Sequence, residues 1–502
     1  MVFFVAGFIM PRMIDRRLGQ EVLGVWDFSW SVVTYFRLVE LGITASVNRH
    51  VAKYWGKQDI AGVNRIVSSA TFALAIAASV VLLATIIAVI SLPHWFAHRL
   101  GEHLPAAQAS VFFLGAMLSM GTALGAFNGV LTGCHRWELQ SLRLGFWHFV
   151  TVAGMIVALW LGGGLVTLAV ITAIGQTLGQ LTMVTLAFRV CRGLRLSRSF
   201  VKRRTIKELY IFSGKSLLQS VSAMLLNQTT SLLILAHLGP AALAVFTRPR
   251  SLLLQMDTLE RKMAMILTPT TSSLESISDL EEIKTLLLKS VRYSLYLVLP
   301  MVMVLIVFGG QVMQLWMGRH YANGLIPAIL AVGFLAACVQ TPILSILEGL
   351  NAHGRGGLAQ LVASIISVGL AVLMLGYLHA GLVGTAVAVT MPLAVVNVVY
   401  LPRMMCRHLS LDLAQFFRQA VSRPAVHVLP FAACLVLARL LYHAHPLVAV
   451  VLILTGASAL AISYWRCVLP ARMKGWAQRL LGSKALSRVS QAAKIPPVNS
   501  AI

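Results

Sequence analysis

The chain has 502 residues, of which 58% are hydrophobic and 11% charged, with a mean hydropathy of +0.82 and a net charge of +25. A water-soluble domain carries about 25% charged residues, so this composition excludes an ordinary soluble globule. It points instead to a polytopic helical membrane protein, because backbone groups in hydrocarbon must be satisfied within a helix or a closed barrel.

Taken in chain order, apolar periodicity and length place fourteen helical segments. They lie at about 1–14, 26–46, 69–92, 109–132, 145–162, 164–187, 210–236, 241–266, 292–315, 326–347, 358–378, 380–402, 428–442 and 446–464. Each approaches the roughly 20 residues that a span requires, although the first, fifth and thirteenth are short. Segments five and six are separated only by Gly162, Gly163 and Gly164, which reads as a tight turn or a kink. Glycines 121, 125 and 129 recur every fourth residue of the fourth segment, a spacing that lets helices approach closely.

The basic residues lie between the spans. Loops after even-numbered segments, with the segment ends that border them and the tail, hold 31 Lys and Arg, whereas loops after odd-numbered segments, with their bordering ends, hold five. A cytoplasmic excess of this kind puts both termini in the cytoplasm. It also removes nucleic acid as the reason for the charge, since no zinc-finger spacing or aromatic-basic platform accompanies it. The six cysteines form no C-x-x-C pair, and His94, His98 and His103 fall in an external loop, so no metal or redox centre is expected. In "FSGKSLLQ" the glycine that a phosphate loop needs is replaced by Leu209, which excludes that motif.

An internal repeat organises the chain. "LGQEVLGVWDFSWSVVTYFRLVELG" from Leu18 and "LGPAALAVFTRPRSLLLQMDTLERK" from Leu238 share Leu-Gly and an apolar-aromatic pattern at an offset of 220 residues. Both sit between the first and second spans of a six-span set. The expected domains are therefore a bundle at 1–205, a second at 206–402, an appended helix pair at 403–464 and a basic cytoplasmic tail at 465–502. Parallel repeats of this kind frame a central cleft.

Charges inside spans are costly and mark function. Arg37 and Glu40 share a helix face, and their counterparts at offset 220 are Asp257 and Glu260. Arg248 and Arg250 flank Pro249, and Asp257 shares the face of Arg250, while no partner for Arg248 is evident. Lys215 lies on the seventh segment, ahead of a polar belt from Asn227 to Thr230. The basic surplus of Arg37, Lys215, Arg248 and Arg250 favours an anionic substrate in the cleft. Glu40, Asp257 and Glu260 are the carboxylates open to a coupling proton or sodium ion.

With these residues identified, the stretch from Arg16 to Asp59 resembles the start of a polysaccharide flippase, as does "AHLGPAALAVFTRPRSLLL" from Ala236. "LWMGRHYANGLIPAILAVGFL" from Leu315 and "AGLVGTAVAVTMPLAVVNVVY" from Ala380 are similar to later blocks of that family. The family shares its fold with multidrug and toxin extrusion transporters. The resemblance implies an all-α membrane fold of two six-helix bundles around a V-shaped cavity. It also implies transfer of a lipid-diphosphate-linked oligosaccharide across the bacterial inner membrane, with no cofactor and no enzymatic step. Arg37, Lys215, Arg248 and Arg250 match the basic cavity residues that meet the lipid diphosphate in the family. Membrane lipids, a glycan polymerase and glycosyltransferases are the implied partners. Competing readings are a drug or metabolite exporter of the same fold and a scaffold that binds lipid-linked precursors without moving them. A membrane polymerase or glycosyltransferase is disfavoured, because no loop is long enough for a catalytic domain.

Overall fold

The computed structural model describes residues 2–40, 43–214, 217–352, 354–442 and 444–468. Among these residues the chain is helical with no strand, and ten helical stretches are long and apolar enough to cross a membrane. One of the ten, Ile60–Ala123, has 64 residues. It comprises α4 (Ile60–Leu100) and α5 (Leu104–Ala123), which turn at Gly101–His103 and pack along each other.

Chain order builds two sets of packed helices. The first contains α1 (Val2–Leu18), α2 (Gln20–Phe36), α3 (Ile43–Gly56), α4, α5, α6 (Gly125–Gly133), α7 (Trp137–Trp160) and α8 (Leu165–Val190). α9 (Arg203–Gly214) packs on α3 and α4 of that set, and the second set contains α10 (Leu217–Met224), α11 (Thr230–Leu238), α12 (Pro240–Ala264), α13 (Leu267–Ser276), α14 (Leu280–Met317), α15 (Leu325–Gly349), α16 (Gly354–Val372), α17 (Gly381–Val395) and α18 (Leu401–His408). After the short α19 (Leu413–Phe416), α20 (Arg423–Leu441) and α21 (Pro446–Ser463) pair with one another, and α20 lies against α14.

The offset of 220 residues reappears in backbone geometry. Gly19 and Gly239 precede α2 and α12 with φ of 95° and 86°, a left-handed setting that glycine adopts without cost. Gln58 and Ser278, with φ of 56° and 58°, precede Asp59 and Asp279. Each aspartate caps its helix, Asp59 accepting from Gly62 N at 2.8 Å and Asp279 from Glu282 N at 3.0 Å.

Several expected segments change on folding. The second segment is not one helix: it tightens into a 3-10 turn at Arg37–Glu40, and the chain resumes as α3. A 3-10 turn eclipses residues three apart. Arg37 and Glu40 thus keep a common side, where Glu40 accepts from Thr44. The fourth segment divides at Leu124 into α5 and α6. The break sets α6 so closely on α3 that a Cβ on Gly129 would lie 2.6 Å from Val47. The three glycines at 162–164 form a tight turn, with Gly162 at φ 84° and Gly163 N donating to Ala158 O at 2.8 Å. By contrast, α12 runs unbroken through Pro249.

Candidate functional site

The sequence-derived candidates divide among three places. Arg248 belongs to the junction of α2 and α12. These helices cross closely because α2 carries Gly24, whose absent Cβ would lie 1.9 Å from the Pro240 carbonyl oxygen. Gln20 Nε2 donates to Ala241 O at 3.2 Å beside that crossing. Arg248 is 3% exposed, and its Nη2 donates to Asp27 Oδ2 and, at 3.1 Å, to Thr247 Oγ1. Thr247 also donates to Asp27, its counterpart at the repeat offset. The expectation that Arg248 lacks a protein counter-charge is thereby corrected. Asp27 was legible as a carboxylate inside an apolar segment, between Trp26 and Phe28. Nearby, Tyr321 donates to Asp15 Oδ1 at 2.6 Å, and burial, followed by the Asp15 carboxylate, pushes its phenol above the usual range.

Arg250, two residues on, points elsewhere. It lines a cavity of about 730 Å³ whose walls come from residues 222 to 397, all in the second half of the chain. Its Nη1 donates to Asn227 O at 3.1 Å and its Nη2 to Asn227 Oδ1. Asn227 occupies a π-helical turn, Leu225–Thr229, between α10 and α11. Such turns displace the backbone ladder and are common at functional sites. The polar belt of the seventh segment thus lines the cavity in part, through Asn227 and Thr230.

Asp257 also lines the cavity but pairs with Arg261, Nε to Oδ2 at 2.7 Å, rather than with Arg250. Glu348 is the other carboxylate in the wall. Among the described residues, two arginines therefore face two carboxylates. The expected surplus counted Arg248, which lies outside this wall, and omitted Arg261 and Glu348, which lie in it. The remaining polar wall includes Gln340, Gln360 and Asn397, amides that the sequence analysis overlooked. Each stands alone in an apolar helical stretch, a usable signal because isolated polar groups are expensive there.

Glu260 is not at a solvent-filled mouth. It is 2% exposed, its Oε1 accepts from Ser294 Oγ of α14 at 2.6 Å, and the Cys338 thiol lies against its carboxyl. Arg37 is exposed on the 3-10 turn, and neither it nor Glu40 lines the cavity. Lys215 lies outside the described residues. Arg143, read from sequence as a loop charge, is instead buried in α7, donating to Gly179 O at 2.8 Å. No group of three or more metal-ligating side chains occurs among the described residues. His103 meets Glu21 at 3.2 Å, and four of the six cysteines are buried.

Known proteins share this architecture. Residues 1–275 match the family model described as polysaccharide biosynthesis protein. The uncharacterized membrane protein EpsK of Bacillus subtilis is 22% identical over 411 residues, covering 78% of each chain. Among solved structures, the lipid II flippase MurJ in an inward closed conformation superposes with a TM-score of 0.69 at 12% identity, covering 93% of this chain and 98% of that one. An inward-facing multidrug resistance MATE family transporter superposes with a TM-score of 0.67 at 18% identity, covering 82% and 95%.

Proposed function

This chain belongs to the polysaccharide biosynthesis protein family, and from that premise we propose that it moves a lipid-diphosphate-linked oligosaccharide across the bacterial inner membrane. The observation that carries the reading is a largely apolar cavity that bears arginine, carboxylate and amide side chains, in a fold shared with a flippase and a transporter. The product would serve O-antigen, capsule or exopolysaccharide assembly, with glycosyltransferases before this step and a glycan polymerase after it.

In this reading the halves 1–205 and 206–402 rock against each other, the pair within 403–464 is an addition, and 465–502 is a cytoplasmic tail. Both termini face the cytoplasm, in keeping with the loop charge bias. Arg250 contacts the head group, since its protein partners are neutral. Arg37 and Lys215 are the basic groups left for the diphosphate, and Arg248 contributes through the α2–α12 junction. Glu260, Asp257 and Glu40 are the carboxylates proposed for ion coupling.

The test is translocation of lipid-linked glycan in vesicles reconstituted with the purified protein. Arg250→Ala should slow it roughly tenfold or more, the scale of a lost charge-assisted hydrogen bond. Efflux of organic cations with no glycan movement would establish the exporter alternative. Glycan binding with an unchanged leaflet distribution would establish the scaffold.

A further inference from the structure

On the basis of that reading, we propose that the cavity in the second half is a sugar subsite: it holds the uncharged, hydroxyl-rich part of the head group and leaves the diphosphate outside. Its charge is the first reason. Among the described residues Arg250 and Arg261 face Asp257 and Glu348, and Asp257 already holds Arg261 at 2.7 Å. A diphosphate has acceptor oxygens only, so inside this wall it would meet two carboxylates with no donors of their own. A sugar hydroxyl both donates and accepts, and the same carboxylates are acceptors for it.

The amides are the second reason. Gln340 makes no side-chain hydrogen bond among the described residues, although it lines the cavity. Gln360 Nε2 donates to Asn397 Oδ1 at 2.6 Å, a bond that uses neither the Gln360 oxygen nor the Asn397 amide nitrogen. An unused amide supplies donors and an acceptor side by side, which suits a run of hydroxyls. Phe334 provides an apolar wall for the C–H face of a sugar ring. The volume of about 730 Å³ lies within the roughly 300–1,000 Å³ of small-molecule sites.

The experiment places a reporter in the wall, Ala337→Cys, and follows its maleimide alkylation in the full-length purified protein by peptide mass spectrometry. Three probes are compared: the polyprenyl-diphosphate glycan fraction extracted from the source cells, the glycan freed from it by mild acid, and polyprenyl diphosphate alone. Intact and freed glycan should each slow alkylation at least tenfold, and polyprenyl diphosphate should leave it unchanged. Gln340→Leu, at an unchanged membrane level, should weaken protection by the freed glycan roughly tenfold. Protection by polyprenyl diphosphate alone, or none by the freed glycan, overturns the subsite. If vesicles still translocate the lipid-linked glycan in that event, only the subsite falls; if translocation is absent as well, the glycan reading falls with it.

Discussion

Removing Asp27 should cost more than removing Arg248, although the two form one ion pair. Asp27→Ala would strand a guanidinium that is 3% exposed and has no other carboxylate partner among the described residues. An uncompensated buried charge costs about 3–5 kcal/mol. Arg248→Met fills most of the vacated volume and leaves Asp27 bonded to Thr247, with 15% of its side chain exposed. A lost charged hydrogen bond costs about 1.5–3 kcal/mol, so this variant should fall near the lower end. The double variant removes both charges and should be more stable than Asp27→Ala alone, giving a coupling of about 2 kcal/mol or more in a double-mutant cycle. The assay is reversible unfolding in mixed detergent micelles, followed by far-UV circular dichroism. Additive single variants, or an Asp27→Ala cost below about 1 kcal/mol, would refute the claim that the pair is buried and mutually dependent.

Gly24→Ala should abolish stable accumulation in the membrane, because the new Cβ meets backbone rather than a movable side chain at Pro240; normal protein levels on quantitative immunoblots would argue against so close a crossing. Cysteines at positions 202 and 104 should label from opposite sides. Lys202 N donates to Ser69 Oγ, and Ser69 is roughly 46 Å along α4 from Leu100 at 1.5 Å per residue, more than a hydrocarbon core of about 30 Å. Equal labelling of the two from outside would sink the topology. Glu260→Gln keeps an acceptor for Ser294, so it should fold and reach the membrane normally while transport in vesicles loses its response to an imposed ion gradient. An unaltered response would take Glu260 out of coupling.

The parts of the fold set by local chemistry were partly legible. Leu-Gly before Gln20 and again before Pro240 marks two stretches at the repeat offset, although α2 starts at Gln20 rather than near 26, and the Asp59 and Asp279 caps emerge only in the structure. The triple glycine at 162–164 could only be narrowed to a turn or a kink, since the distinction depends on how α7 and α8 pack. The partners of the intramembrane charges were not legible. Asp27 and Arg248 are 221 residues apart, and only folding shows that Arg248 meets a carboxylate while Arg250 meets Asn227. Spacing along α12 suggested Asp257 for Arg250, but the i,i+4 neighbour Arg261 reaches Asp257 instead. Arg143 was misplaced for a related reason. It lies near the start of a helix whose apolar stripe begins before the apolar composition does, so a window on hydropathy leaves it in the loop.

The net charge of +25 therefore bears on orientation more than on cargo. In the topology proposed above, its excess would lie in the loops on one side, where it would set orientation and draw anionic lipid. Within the helices, Asp27 neutralises Arg248 and Asp257 neutralises Arg261, while Glu260 meets the hydroxyl of Ser294. A helix interior with an open surplus of arginines would hold a diphosphate tightly in both leaflets and would release it slowly. A balanced cavity lined by amides binds hydroxyls through many modest bonds, none of which leaves a stranded charge when the ligand departs. For a carrier that must release what it binds, the proposed division has a physical advantage: the anionic carrier lipid would stay in the bilayer while the sugar enters the protein.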